Sequence, residues 1–278
     1  MLVLNFPKED DDGPLTRILA RKGWGRYSSA WLKAYSDYVQ FQGDPWQVSP
    51  APIPKTRQKA QRKFYDTRAG GGALARIRST AGLKCCPMCG SDNSGTLDHY
   101  LPRKEYPEFS IFSKNLIPAC PACNSSVKGD IYKGTLSPER FIHPYFDKLA
   151  AKAVWRVKIV APFDAPNFTA EPMPGFSAME EKQIQFHIGH ILGEQFQLKM
   201  GTLFGDFPQR IRDGMEHIPK LDRASTETGL KTILRDVVTS RSINSWEAAL
   251  VRGTVSDPDV TDHLTTLANG CVAVPIDM

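Results

Sequence analysis

Two cysteine pairs set the strongest constraint on this 278-residue chain: Cys86-Pro-Met-Cys89-Gly90 and Cys120-Pro-Ala-Cys123-Asn124. Two residues between cysteines let both thiolates turn onto one cation, and two such pairs complete a tetrahedron. Cys86, Cys89, Cys120 and Cys123 are therefore the expected ligands of a structural zinc ion, with Cys85 as the alternative to Cys86. A disulfide framework is the poorer explanation, because the first residues run from Met1 into Lys8, Glu9 and three aspartates and lack the apolar stretch of an export signal. The remaining cysteine, Cys271, reads as a small buried hydrophobe. A closed four-thiolate site leaves no open position for a substrate, so any chemistry must sit in what the metal holds together.

The 30 residues between the pairs exceed the spacing of a compact zinc ribbon and must form an insert of their own. Thr96–Tyr100 and Leu116–Pro118 are β-prone and flanked by turn residues, and Pro102 stops the first strand. Pro121 suits the first turn of a helix through Asn124 to Lys128, which Gly129 ends. The predicted order is strand, loop, strand, helix, with a zinc knuckle at each end.

The charge is uneven. The whole chain carries +5, yet residues 1–150 hold 22 Lys and Arg against 14 Asp and Glu, a net +8, and residues 151–278 are net −3. Between Lys55 and Lys84 nine basic residues face one acid, Asp66. A focused basic segment attracts a polyanion, since each neutralised phosphate releases condensed counterions. Arg62, Lys63, Arg76 and Arg78 from this segment, with Arg103 and Lys104 in the insert, are the candidate nucleic-acid contacts.

At this point the sequence resembles a family. Cys86-x-x-Cys89, Asp98-His99, Asn115-Leu116, Cys120-x-x-Cys123-Asn124 and Lys128 together are similar to the HNH endonucleases in their zinc-stapled form, over about residues 84–132. Asn124 stands where many members have histidine. The resemblance implies a ββα-metal core and a metal-dependent endonuclease acting on DNA. In that reading His99 is the general base, an imidazole being suited to proton transfer near neutrality. Asp98, on the opposite side of the strand, and Asn124 hold one magnesium or manganese ion. Asn115 braces the loop that orients His99, and Lys128, one helical turn beyond Asn124, contacts a phosphate. The resemblance further implies a cytoplasmic effector of a bacterial anti-phage or restriction system, partnered by a separate ATPase or sensor. The alternative is a zinc-stabilised nucleic-acid-binding subunit without activity. A zinc deaminase is excluded: no histidine is followed by Glu two residues on, and Ala119 rather than proline precedes Cys120.

Elsewhere the pattern is mostly helical, giving an α+β class with the ββα-metal core flanked by N- and C-terminal helical regions. Residues 1–54 form a helical region closed by a proline-rich linker, with Trp31, Tyr35, Tyr38 and Val39 on one helix face. Residues 55–150 hold the basic segment and the nuclease core. The basic segment reads as helix on both sides of a hinge at Ala69–Gly72, and Arg140, His143 and Tyr145 after the knuckles are assigned to packing. Residues 151–278 form an acidic, helical domain with a strand at Trp155–Val160, a proline-rich loop at Ala161–Gly175, and apolar stripes at Ile184/Ile188/Ile191/Leu192 and Leu230/Ile233/Leu234/Val237/Val238. Asn244-x-x-Glu247 reads as a helix-starting capping box, and His187 and His190 lack partners for a metal. No apolar run approaches the ~20 residues that span a bilayer. The C-terminal helices are a candidate surface for self-association.

Overall fold

The computed structural model describes residues 1–67, 72–80 and 82–274. The N-terminal part supplies α1 (Asp12–Leu19), α2 (Ser28–Gln40), α3 (Lys55–Asp66) and α4 (Gly72–Arg78). The glycine run expected to act as a hinge lies outside the described residues apart from Gly72, as does Arg68 of the basic stretch. Next come β1 (Thr96–His99) and β2 (Leu116–Ala119), antiparallel, with Asp98 opposite Ile117 and His99 opposite Leu116. A short helical turn follows and widens to π geometry over Cys123–Val127. The C-terminal part contains β3 (Trp155–Val160), β4 (Asn167–Pro172), α5 (Ala178–Gly189), α6 (Glu194–Gly214), α7 (Arg223–Ser240), α8 (Trp246–Val255) and α9 (Pro258–Gly270). The chain is thus α+β and mostly helical. No helix among the described residues is long and apolar enough to cross a membrane.

The apolar stripes account for the packing. Trp31, Tyr35 and Tyr38 line the buried face of α2, where Tyr35 stacks on Phe112 and Tyr38 meets Phe109 edge-on, whereas Val39, expected on the same face, is exposed. The indole of Trp31 donates to the Glu108 carbonyl at 3.0 Å, tying α2 to the loop between β1 and β2. Leu74 and Ile77 of α4 close a small core over Leu97 and Leu116, which seals one side of the β1–β2 ribbon. In the C-terminal part α8 lies across β3 and is surrounded by α6, α7 and α9. Leu230, Ile233 and Val237 are buried on α7 as the stripe predicts. Ile191 and Leu192 fall beyond α5, which ends at Gly189.

Three expectations are corrected. The stretch read as a proline-rich loop contains β4, which pairs with β3 from Trp155↔Pro172 to Val160↔Asn167. The cap of α8 is Ser245, whose side chain accepts from the Ala248 amide. Asn244 is drawn away by three other bonds: it accepts from the Val154 amide and donates to the Ala150 and Lys152 carbonyls. Cys271 is half-buried at the end of α9, with its Sγ toward the Leu267 carbonyl.

Both ends of the chain converge on the first knuckle. Leu2 donates to the Pro87 carbonyl, His187 bonds the Met88 carbonyl at 2.8 Å, and the Trp246 indole donates to the Cys89 carbonyl at 2.8 Å. Gly90 makes this approach feasible: at φ +84° an added methyl would stand 2.3 Å from the Asn244 carbonyl oxygen. One buried apolar cluster consequently runs across residue 150, from Met1 to Ala268.

Candidate metal centre and adjacent histidine site

The Sγ atoms of Cys86, Cys89, Cys120 and Cys123 all lie within 4.8 Å of one another, and all four residues are buried. Cys86 and Cys123 are 3.9 Å apart, Cys89 and Cys120 3.8 Å. Tetrahedral ligation at about 2.3 Å per zinc–sulfur bond requires sulfurs about 3.8 Å apart. The donor set therefore fits a structural zinc ion. Backbone amides are already aimed at the sulfurs: Cys120 N at Cys86, Cys123 N at Cys120 and Ser91 N at Cys89, at 3.3–3.4 Å. Four thiols this close cannot all ionise without a cation. Hydrogen bonding from Cys123 holds Cys120 far below its usual range, and bonding to Cys120 pushes Cys89 and Cys123 up. Cys85 is buried outside the cluster, so Cys86 is the cysteine that faces its partners.

β1 starts seven residues after this knuckle and carries Asp98 and His99 on alternating faces. His99 is 8% exposed and its Nε2 lies 3.0 Å from the Ser110 carbonyl oxygen. A carbonyl only accepts, so Nε2 carries the proton and Nδ1 keeps its lone pair. Burial is the main cause that lowers the His99 pKa to about 4; the nearby cations of Arg103 and Lys128 add to it. The ring of Tyr65, from α3, meets His99 edge-on at 4.6 Å, and Arg103 sits over that tyrosine at 5.3 Å.

On the other face, Asp98 is 4% exposed and its Oδ2 has no hydrogen-bond partner among the described residues. The Lys128 ammonium stands 3.1 Å from Oδ2, and donates to the His99 carbonyl at 2.8 Å. Burial raises the Asp98 pKa, and Lys128 partly opposes that rise.

Lys128 does not occupy the position expected for it. It is 1% exposed, whereas Asn124, predicted to share its helical face, is exposed to solvent. The wide turn explains the difference. Across a π turn, residues five apart come into register, and Cys123 with Lys128 forms the buried pair. Asp98 and Lys128 are brought together, and among the described residues no hydrogen bond joins Asn124 to Asp98.

Asn115 is fully buried and fully bonded. Its Oδ1 accepts from the Leu101 amide at 2.8 Å and from the Tyr38 hydroxyl at 3.0 Å; its Nδ2 donates to the Leu101 and Phe109 carbonyls. It therefore clasps the 101–115 loop at two points, one of them next to Ser110. Of the basic candidates, Lys63 and Arg76 are exposed and Arg62 and Arg78 half-buried. Arg76 bonds Glu9 through two nitrogens, Arg103 pairs with Asp66 at 2.6 Å, and Lys104 with Asp130 at 3.1 Å. Surface pairs of this kind contribute about 0–1 kcal/mol and yield readily to another anion.

Sequence reasoning missed Tyr65, Ser110 and Tyr38 as neighbours of the site. Tyr38 lies 77 residues from Asn115, and its helical spacing signals only a core face. Both nitrogens of the buried His187 ring are engaged: Nδ1 accepts from the Ile142 amide and Nε2 donates to the Met88 carbonyl.

No family profile matches the chain, and no solved structure matches it. It is similar to the protein ea31 of Escherichia phage lambda, 35% identical over 95 residues. That alignment spans 34% of this chain and 28% of the length of the phage protein.

Proposed function

We propose that the chain is a metal-dependent endonuclease that hydrolyses phosphodiester bonds in DNA, with His99 as the general base. The observation that carries this reading is the pairing of two opposed features on one short strand. His99 is locked with a free acceptor nitrogen, and behind it Asp98 presents a buried carboxylate whose Oδ2, among the described residues, meets only the Lys128 ammonium, 3.1 Å away. The ribbon that bears them ends at the four-cysteine cluster, which would fix its geometry.

With a pKa of about 4, His99 is neutral at pH 7 and its Nδ1 can take a proton from an attacking water. A bound phosphodiester beside Arg103 and Lys128 would offset the two cations that lower its basicity. Asp98 would hold the divalent ion in place of the Lys128 ammonium, and Asn124, exposed and not bonded to Asp98, would have to turn toward it to serve as second donor; the ion would supply charge stabilisation to the phosphate and acidify its bound water. Displaced from Asp98, Lys128 would contact a phosphate oxygen or stabilise the transition state. Arg62, Lys63, Arg76, Arg78, Arg103 and Lys104 would track the nucleic-acid backbone, exchanging carboxylate partners for phosphates.

A second reading has its own support. Lys128 occupies the cation position at Asp98, as expected of a zinc-stabilised DNA-binding module without catalysis. Supercoiled plasmid incubated with Mg²⁺ or Mn²⁺ separates the two. The nuclease reading predicts nicked or linear product from wild type and at least a 100-fold slower reaction from His99→Ala, with DNA affinity kept. Salt-sensitive binding with equal, background-level cutting by both proteins would establish the second reading instead.

A further inference from the structure

Three buried side chains form a directed hydrogen-bond chain. The Tyr145 amide donates to His143 Nδ1 at 3.2 Å, so that nitrogen carries no proton. Burial holds the His143 pKa near 3, so the ring is neutral and its one proton is on Nε2. Nε2 lies 3.1 Å from the Tyr38 oxygen and must donate to it. The Tyr38 hydroxyl then gives its own proton to Asn115 Oδ1, 3.0 Å away, which is nearer than its second acceptor, the Lys114 carbonyl at 3.4 Å. All three side chains are fully buried.

Asn115 passes this ordering into the loop. Its amide grips the Phe109 carbonyl, and the next carbonyl along, that of Ser110, holds His99 Nε2. The fit around the chain is close: Gly43, at φ +69°, leaves room for both rings, and an added methyl would stand 2.9 Å from His143 Cδ2 and 3.0 Å from the Tyr38 hydroxyl. A fully satisfied buried polar network of this kind rigidifies what it contacts.

From this we infer that Tyr38 and His143 are positioning residues for His99, acting through Asn115 to hold the Ser110 carbonyl that selects its tautomer and ring orientation. The catalytic consequence rests on the nuclease reading above; the positioning itself does not.

The test uses the full-length zinc-loaded protein labelled with ¹⁵N-histidine, with the His99 signals assigned through His99→Ala. Wild type should show His99 in the single Nε2–H tautomer. Tyr38→Phe keeps the ring, removes the hydroxyl, and should give a mixture of tautomers at His99. It should also lower kcat on plasmid about 10- to 100-fold with KM changed less than twofold, as expected when a reacting group loses its alignment. His143→Leu should behave like Tyr38→Phe, and His143→Gln, which keeps an N–H donor, should restore the single tautomer. This second pair keeps the inference testable if Tyr38→Phe does not fold. A single, unchanged His99 tautomer in folded Tyr38→Phe or His143→Leu would overturn the inference, even if the melting temperature fell. Wild type that cuts no DNA, together with tautomer mixing in Tyr38→Phe, would sink the nuclease reading and leave the positioning role standing.

Discussion

Replacing Lys128 by methionine tests the least expected feature of the site. The side chain is 1% exposed and its ammonium stands 3.1 Å from Asp98 Oδ2, whose own side chain is 6% exposed. Methionine preserves much of the volume and removes the charge and the hydrogen bonds that Lys128 donates to Asp98 Oδ1 at 3.4 Å and to the His99 carbonyl at 2.8 Å. Asp98 is then left buried with no cation, and breaking a buried pair from one side costs about 3–5 kcal/mol. Against a total stability of about 5–15 kcal/mol, that is a third or more of the whole. The sign of the pH dependence follows from Asp98. Its folded pKa is already raised by burial, and loss of Lys128 raises it further. A group with a raised folded pKa gains stability as pH falls, so the deficit of Lys128→Met should shrink between pH 7 and pH 4. Asp98→Asn in the same chain removes the orphaned charge, and the double variant should recover most of the loss. Urea midpoints at 25 °C for wild type, both single variants and the double variant give the coupling directly. A single-variant loss under about 0.5 kcal/mol, or additive single effects, would refute a buried, interacting pair.

Three further outcomes follow from the same geometry. The protein should contain one zinc ion per chain by elemental analysis, and Cys123→Ser or a strong chelator should abolish cooperative unfolding, because structural zinc contributes about 10–16 kcal/mol in small domains. His187 is buried with its pKa lowered to about 3 by desolvation. Its contribution is complete above an unfolded pKa of about 6.5 and is lost as pH falls toward 3, about 2 kcal/mol of it by pH 5, so the urea midpoints of wild type and His187→Gln should converge on acidification. Gly253→Ala should cost about 3 kcal/mol or more in a urea melt, since overpacking is punished most where backbone must move and the new methyl would stand 1.6 Å from the Val157 carbonyl oxygen where α8 crosses β3.

What the sequence revealed divides along physical lines. The cysteine cluster, the strands β1 and β2 and the core faces of α2 and α7 were legible because each depends on local spacing. β4 was not, since Phe168 is its one wholly buried residue and prolines flank it. The α8 cap moved by one residue because Asn244 has better partners about 90 residues away. Lys128 illustrates the limit within the site itself. Helical spacing placed it beside Asn124, and the π turn, which no residue pattern announces, carried it into the interior. Likewise the reach of the C-terminal half onto the first knuckle, through His187 and Trp246, is visible only in three dimensions. The acidic half therefore has at least one task, to buttress the cysteine cluster.

The central claim is that His99 is a general base for phosphodiester hydrolysis. Its most direct test is the rate of plasmid cleavage by purified wild type and His99→Ala in Mg²⁺ or Mn²⁺ near pH 7, with DNA affinity measured alongside. Metal-dependent cutting by wild type and a loss of at least about 100-fold in the variant at unchanged affinity are expected. Equal rates for the two proteins would contradict it.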